Sequence, residues 1–128
     1  MTENLSDISN LQQNDKFTDI RPNVKSSELT NKNRPFVVCF KYQLPKEFCF
    51  TKLEKRSIKD FQSFLNKISN MTFLDVEKTF KKESDTSDIF HDMPVVHYKV
   101  TEDFRLHGVM ENWEFCVIRI DPNHKFHP

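Results

Sequence analysis

Apolar residues decide where a chain can fold, and here they are placed unevenly. Of the 47 hydrophobic residues, residues 1–35 carry eight (Met1, Leu5, Ile8, Leu11, Phe17, Ile20, Val24 and Leu29), whereas residues 36–128 carry 39. The first stretch is dominated by Asn, Ser, Asp, Lys and Gln, which bury too little apolar surface to offset backbone ordering at about 1–2 kcal/mol per residue. Residues 1–35 are therefore expected to form a disordered, flexible polar arm, and residues 36–128 a single domain with one modest core. The apolar side is aromatic in character: the chain has 13 phenylalanines, one glycine and no alanine.

No apolar run reaches the roughly 18 residues that span a bilayer, and Met1-Thr2-Glu3-Asn4 lacks the basic and apolar regions of a signal peptide. A soluble cytoplasmic protein with no membrane partner is expected. The three cysteines, Cys39, Cys49 and Cys116, are odd in number and include no Cys-x-x-Cys pair, so they are read as reduced, packed thiols rather than a disulfide framework or a zinc site. Nineteen basic residues balance nineteen acidic ones. That argues against a protein held on nucleic acid by bulk positive potential, and no DNA partner is expected.

From Phe36 the pattern alternates, with Phe36, Val38, Phe40, Tyr42 and Leu44 on one side, predicting a half-buried strand ended by Pro45. Ser57 to Asp60 reads as a helix cap, and Ile58, Phe61, Phe64, Leu65 and Ile68 follow at helical spacing up to about Asn70. Thr72 with Asp75 predicts a second capped start, with Phe73, Val76 and Phe80 on one stripe and a polar run over 81–88. After Pro94 the period returns to two. Val96, Tyr98 and Val100 mark one strand; Phe104, Leu106, Gly108 and Met110 a second; residues 113–120 a third. A two-residue turn at Glu111-Asn112 would set Met110 against Trp113, Gly108 against Phe115 and Leu106 against Val117. The whole reads as an α+β two-layer sandwich of order β-α-α-β-β-β, an antiparallel sheet with two helices on one face. The opposite face would then be open and would carry Arg105 and His107, with Lys99 and His97 beside them.

The segment from Phe104 to His124 resembles the C-terminal half of the RelE/YoeB-like toxin superfamily. An Arg-Leu pair (Arg105-Leu106) opens the penultimate strand, a short hairpin and an apolar strand follow, and His124 lies near the C-terminus. That superfamily also has the strand-helix-helix-three-strand order. The resemblance implies the toxin of a toxin-antitoxin system, a ribosome-dependent mRNA endoribonuclease whose partners are an antitoxin protein and mRNA on the ribosome. Carried over by position, Arg105 matches the strand arginine on the scissile phosphate and His124 the C-terminal general acid. The family tyrosine has no counterpart, since Phe126 or His127 occupies its neighbourhood. The ending, with Asp121-Pro122, His124 and Pro128, also resembles short bacterial proteins linked to phages and mobile elements.

The chemistry is coherent for a metal-independent nuclease. Arg105 offers a fixed fork for phosphate oxygens, while His107 and His124 supply imidazoles whose unperturbed pKa of about 6.5 suits acid-base work. The catalytic candidates are Arg105, His107 and His124, and neither a cofactor nor a metal is expected. Each has a plainer reading. Arg105 would be a surface strand arginine paired with Glu102 or Asp103, His107 a satisfied half-buried histidine, and His124 a brace for the turn after Asp121-Pro122-Asn123. A metal site from His97, His107, His124 and His127 is a further alternative, but His-x-x-His in a tail lacks the helical His-Glu-x-x-His geometry. The glycine at 108 is read as clearance for the Phe115 ring or as a bulge. The alternative function is a non-enzymatic phage or mobile-element interaction module binding a host protein or RNA.

Overall fold

The computed structural model describes residues 33–83 and 85–126, and the expected polar arm lies outside them up to residue 32. In chain order the elements are β1 (Val37–Cys39), two short 3-10 turns (Lys46–Phe48 and Phe50–Lys52), α1 (Lys55–Ile68), α2 (Phe73–Phe80), β2 (Lys81–Lys82), β3 (Ile89–Phe90), β4 (Met93–Pro94), β5 (Val96–Lys99), β6 (Arg105–Glu111) and β7 (Glu114–Asp121). This is an α+β fold. The five-stranded sheet runs β1-β7-β6-β5-β2, and β3 with β4 forms a separate hairpin. The main sheet is mixed rather than wholly antiparallel, because β1 joins β7 in parallel, with Val37 opposite Glu114 and Cys39 opposite Cys116. Parallel pairing demands a long crossover, and the helices and the meander together supply it.

The helices form for the reasons their spacing gives. Phe61, Phe64 and Ile68 of α1 and Phe73 and Val76 of α2 are buried, and they pack on Phe36, Tyr98, Leu106, Phe115, Val117 and Ile120 of the sheet. Tyr98 meets Phe115 edge-on at 4.6 Å and Phe36 at 5.4 Å, the favoured arrangement for aromatic pairs. The Tyr98 hydroxyl donates to Glu77, and burial followed by that carboxylate pushes its pKa upward. Thr72 caps α2 as expected, its hydroxyl accepting from the Asp75 amide at 3.2 Å. Helix α1 starts before the expected Ser57, because Ile58 N already donates to Glu54 O at 2.9 Å, and Ile58 points outward at 54% exposure. The first strand stops at Cys39 instead of running to Leu44. Beyond it Lys41 and Tyr42 leave the sheet edge to bind the Glu111 carboxylate, Lys41 at 2.5 Å.

The β6–β7 hairpin differs from expectation in two ways. Its turn is Asn112-Trp113, both at positive φ (51° and 66°), so Glu111 pairs with Glu114 and Met110 with Phe115. A tight hairpin favours this left-handed pair because its twist matches the strands. The bulky Trp113 is held there by the Phe73 ring, edge-on at 5.3 Å, and by Arg34, 5.3 Å above its ring. Further along, Gly108 pairs with Val117 but His107 with Arg119, so Ile118 is an extra residue in a β-bulge. Val117 and Ile120 both turn toward the helices, while Ile118 joins Val109, Cys116 and Val95 on the other side.

That other side is not the open face anticipated from alternation. The second cluster is covered by Cys39, Tyr42, Phe90 and Met93, the last two from the β3–β4 hairpin. This hairpin lies just beyond the stretch read as a polar run over 81–88, whose first two residues form β2. Its turn is His91-Asp92, again at positive φ, and the Phe90 and His91 rings, stacked on each other, both meet Tyr42 edge-on. Among the described residues no helix is long and apolar enough to cross a membrane.

Candidate functional site

The bulge and the C-terminal turn build a buried polar cluster at the end of β5, β6 and β7. Its centre is His107, with 0% exposure. The Arg119 Nε–H donates to His107 Nδ1 at 2.9 Å, which leaves Nδ1 the unprotonated nitrogen. Arg119 Nη2 donates to Asp88 Oδ2 at 2.5 Å, and His97 Nε2 stands 3.7 Å from the same oxygen. The His97 and His107 rings stack at 3.9 Å, as their direct register pairing on β5 and β6 dictates. Phe126 closes the cluster: its ring lies 3.6 Å from the Arg119 guanidinium and edge-on to His107 at 5.6 Å. Burial pulls the Arg119 pKa down, against the opposing influence of Asp88 and Asp121.

Asp121 anchors the segment that carries Phe126. Its carboxylate, 1% exposed, accepts from the backbone amides of Lys125 (2.8 Å) and Phe126 (2.9 Å). His124 sits in this turn, half-buried at φ 53°, with its amide 3.4 Å from Asp121 O. Arg105 pairs in register with Asp121 and is 7% exposed. Its Nη1 donates to the carbonyls of Thr101 (2.7 Å) and Glu102 (2.8 Å), tying down the β5–β6 loop.

The structure thus gathers Arg105, His107 and His124 at one end of the β6–β7 pair, but it presents them differently from an open catalytic face. Arg105 is buried and bonded to carbonyls, rather than standing as a solvated arginine paired with Glu102 or Asp103 side chains. His107 is sealed under Phe126, and His124 alone of the three keeps partial exposure. His127 lies outside the described residues. A cleft of about 320 Å³ adjoins the turn, yet four acids, Glu54, Asp60, Glu102 and Asp103, line it against one base, Arg56, and such an acidic excess disfavours phosphate.

Sequence reasoning passed over Arg119, which bonds His107 directly, because it carries no motif; Asp88, a general-base candidate by rough location beside Glu83 and Asp92, instead pairs with Arg119. Sequence reasoning also passed over a local charge excess. Residues 40–60 hold six basic side chains (Lys41, Lys46, Lys52, Lys55, Arg56, Lys59) against three acids, and all six are exposed. Within this stretch Phe40 and Phe50, 45% and 47% exposed, lie 5.6 Å apart with tilted rings. A windowed charge count would have found it. No family model, curated protein or solved structure matches the chain.

Proposed function

We propose that the protein is a non-enzymatic RNA-binding module of the phage or mobile-element kind, engaging single-stranded RNA through residues 40–60. The observation that carries this reading is the exposed Phe40–Phe50 pair set among exposed lysines in a chain whose overall charge is zero. Aromatic faces accept any base by stacking, worth about 1–3 kcal/mol per base, and neighbouring lysines neutralise the backbone that passes between them. Lys46 and Lys52 belong to the two 3-10 turns on either side of Cys49, and Phe50 opens the second, so the two lysines are held on the same short segment as that ring. Lys41 is already paired with Glu111 and contributes less.

Fluorescence anisotropy with a short single-stranded RNA tests the proposal. Binding is expected to weaken with salt, with a log-log slope of about −2 to −3.5 if three to five phosphates are contacted. Phe40→Ala is expected to weaken it about 5- to 100-fold, in line with the loss of one stacked base. Phe50 also touches the buried Phe61, so Phe40→Ala is the cleaner variant. Salt-independent binding, or a folded Phe40→Ala protein that binds like the parent, would overturn the reading.

A second reading, the ribosome-dependent endoribonuclease toxin, is supported by the order of the long elements and by the partial exposure of His124 on the turn after β7. It requires growth arrest when the chain is expressed without an antitoxin, and relief of that arrest by His124→Ala. Arg105→Ala is the weaker probe, because it also unties the Thr101–Glu102 loop. Normal growth with soluble parent protein present would exclude this reading.

A further inference from the structure

Sheet geometry brings together three ligand-bearing side chains that neither the polar cluster nor the RNA-binding edge uses. Cys39 and Cys116 are direct partners in the parallel β1–β7 register. Glu114 lies two residues before Cys116 on β7, and alternation places it on the same side of the sheet. The two sulfurs and a Glu114 carboxylate oxygen all lie within 4.8 Å of one another. Cys116 is buried, Cys39 half-buried and Glu114 exposed, so the group has a closed floor and an open mouth.

We infer that Cys39, Cys116 and Glu114 form a binding site for a divalent cation of zinc type. Two thiolates and one carboxylate suit a borderline-soft ion, and hard cations such as magnesium or calcium prefer oxygen alone. Zinc–sulfur bonds of about 2.3 Å at tetrahedral angles place two sulfurs about 3.8 Å apart. The present spacing therefore closes onto an ion by small χ1 rotations of the cysteines and a swing of the exposed glutamate, without moving either strand. Water from the open mouth fills the fourth position. Val95, Val109 and Ile118 surround the floor, and their low polarity strengthens the attraction between ion and thiolates. Both cysteines bind such an ion as thiolates, so binding releases protons to solvent.

The site is independent of the RNA-binding reading and is tested separately. Cys49 is a competing thiol, pulled below its ordinary pKa by its hydrogen bonds with Thr51, so the full chain is prepared with Cys49→Ser and kept under a non-thiol reductant. Titration with Co²⁺ is expected to give thiolate-to-cobalt charge-transfer absorption that saturates at one equivalent and is displaced by Zn²⁺. Zn²⁺ is also expected to raise the melting temperature. Cys39→Ser, at a half-buried position that tolerates the change, is expected to abolish the charge-transfer band or weaken binding at least 100-fold. Glu114→Gln is expected to weaken it at least tenfold. The inference is overturned if the parent shows no saturable charge-transfer band, if the band persists undiminished in Cys39→Ser, or if Glu114→Gln binds as tightly as the parent.

Discussion

Replacing Asp88 with alanine is expected to cost about 3–5 kcal/mol of folding stability, because it strands a buried guanidinium. Arg119 is 9% exposed, and Asp88 Oδ2 is its carboxylate partner at 2.5 Å. Without that charge, the Phe126 face and the His107 nitrogen are poor compensation for lost hydration. Removing both members is expected to be milder than removing one, since the uncompensated charge leaves with its partner. Urea denaturation of Asp88→Ala, Arg119→Leu and the double variant closes a thermodynamic cycle for the pair. A loss below about 1 kcal/mol in Asp88→Ala would mean that water reaches Arg119 and that the cluster is looser than its geometry.

Gly108→Ala is expected to cost about 3 kcal/mol, at the upper end for an overpacked core. A Cβ there would stand 2.5 Å from the Cys116 carbonyl oxygen and 2.6 Å from Phe115 Cε1. Neither neighbour can retreat cheaply. The carbonyl belongs to the β7 backbone beside the bulge, and the Phe115 ring is wedged between Tyr98 and Phe36. The smaller backbone entropy of alanine in the unfolded chain returns only about 0.4–1 kcal/mol. Chemical denaturation checks this, and an unchanged midpoint would show that the bulge absorbs a methyl group by sliding. The lone glycine thus answers to both sequence readings at once: it clears the Phe115 ring and it abuts the bulge.

How much was legible in the sequence follows from what pattern can carry. The Thr72 cap, the helical stripes and the alternation of β5 and β6 were readable because each is local. The bulge was not, since residues 115–118 (Phe-Cys-Val-Ile) are apolar on both sides of the strand and an extra residue leaves no break in the pattern. The β3–β4 hairpin was hidden because its turn is His91-Asp92, a pair with none of the glycine signal that usually marks left-handed turns. The gravest misreading concerned the second face. Arg105 and His107 alternate with apolar neighbours, and polar residues in that position normally mean solvent. Here they are buried against carbonyls and against Arg119, partners that come from the β5–β6 loop and from β7. Pattern identifies a residue's type and side; only tertiary structure says what stands opposite.

The parallel seam between β1 and β7 has a consequence for how the protein comes into being. Val37 and Glu114 stand near opposite ends of the domain, so their pairing carries the loop-closure cost of most of the domain. The β5–β6–β7 meander, built from short-range pairs, can assemble first and leave a vacant edge. Only when β1 seals it do Cys39 and Cys116 meet. On a ribosome, a nascent chain would lack that pair until β7 had emerged, which makes the proposed cation site a marker of the closed sheet.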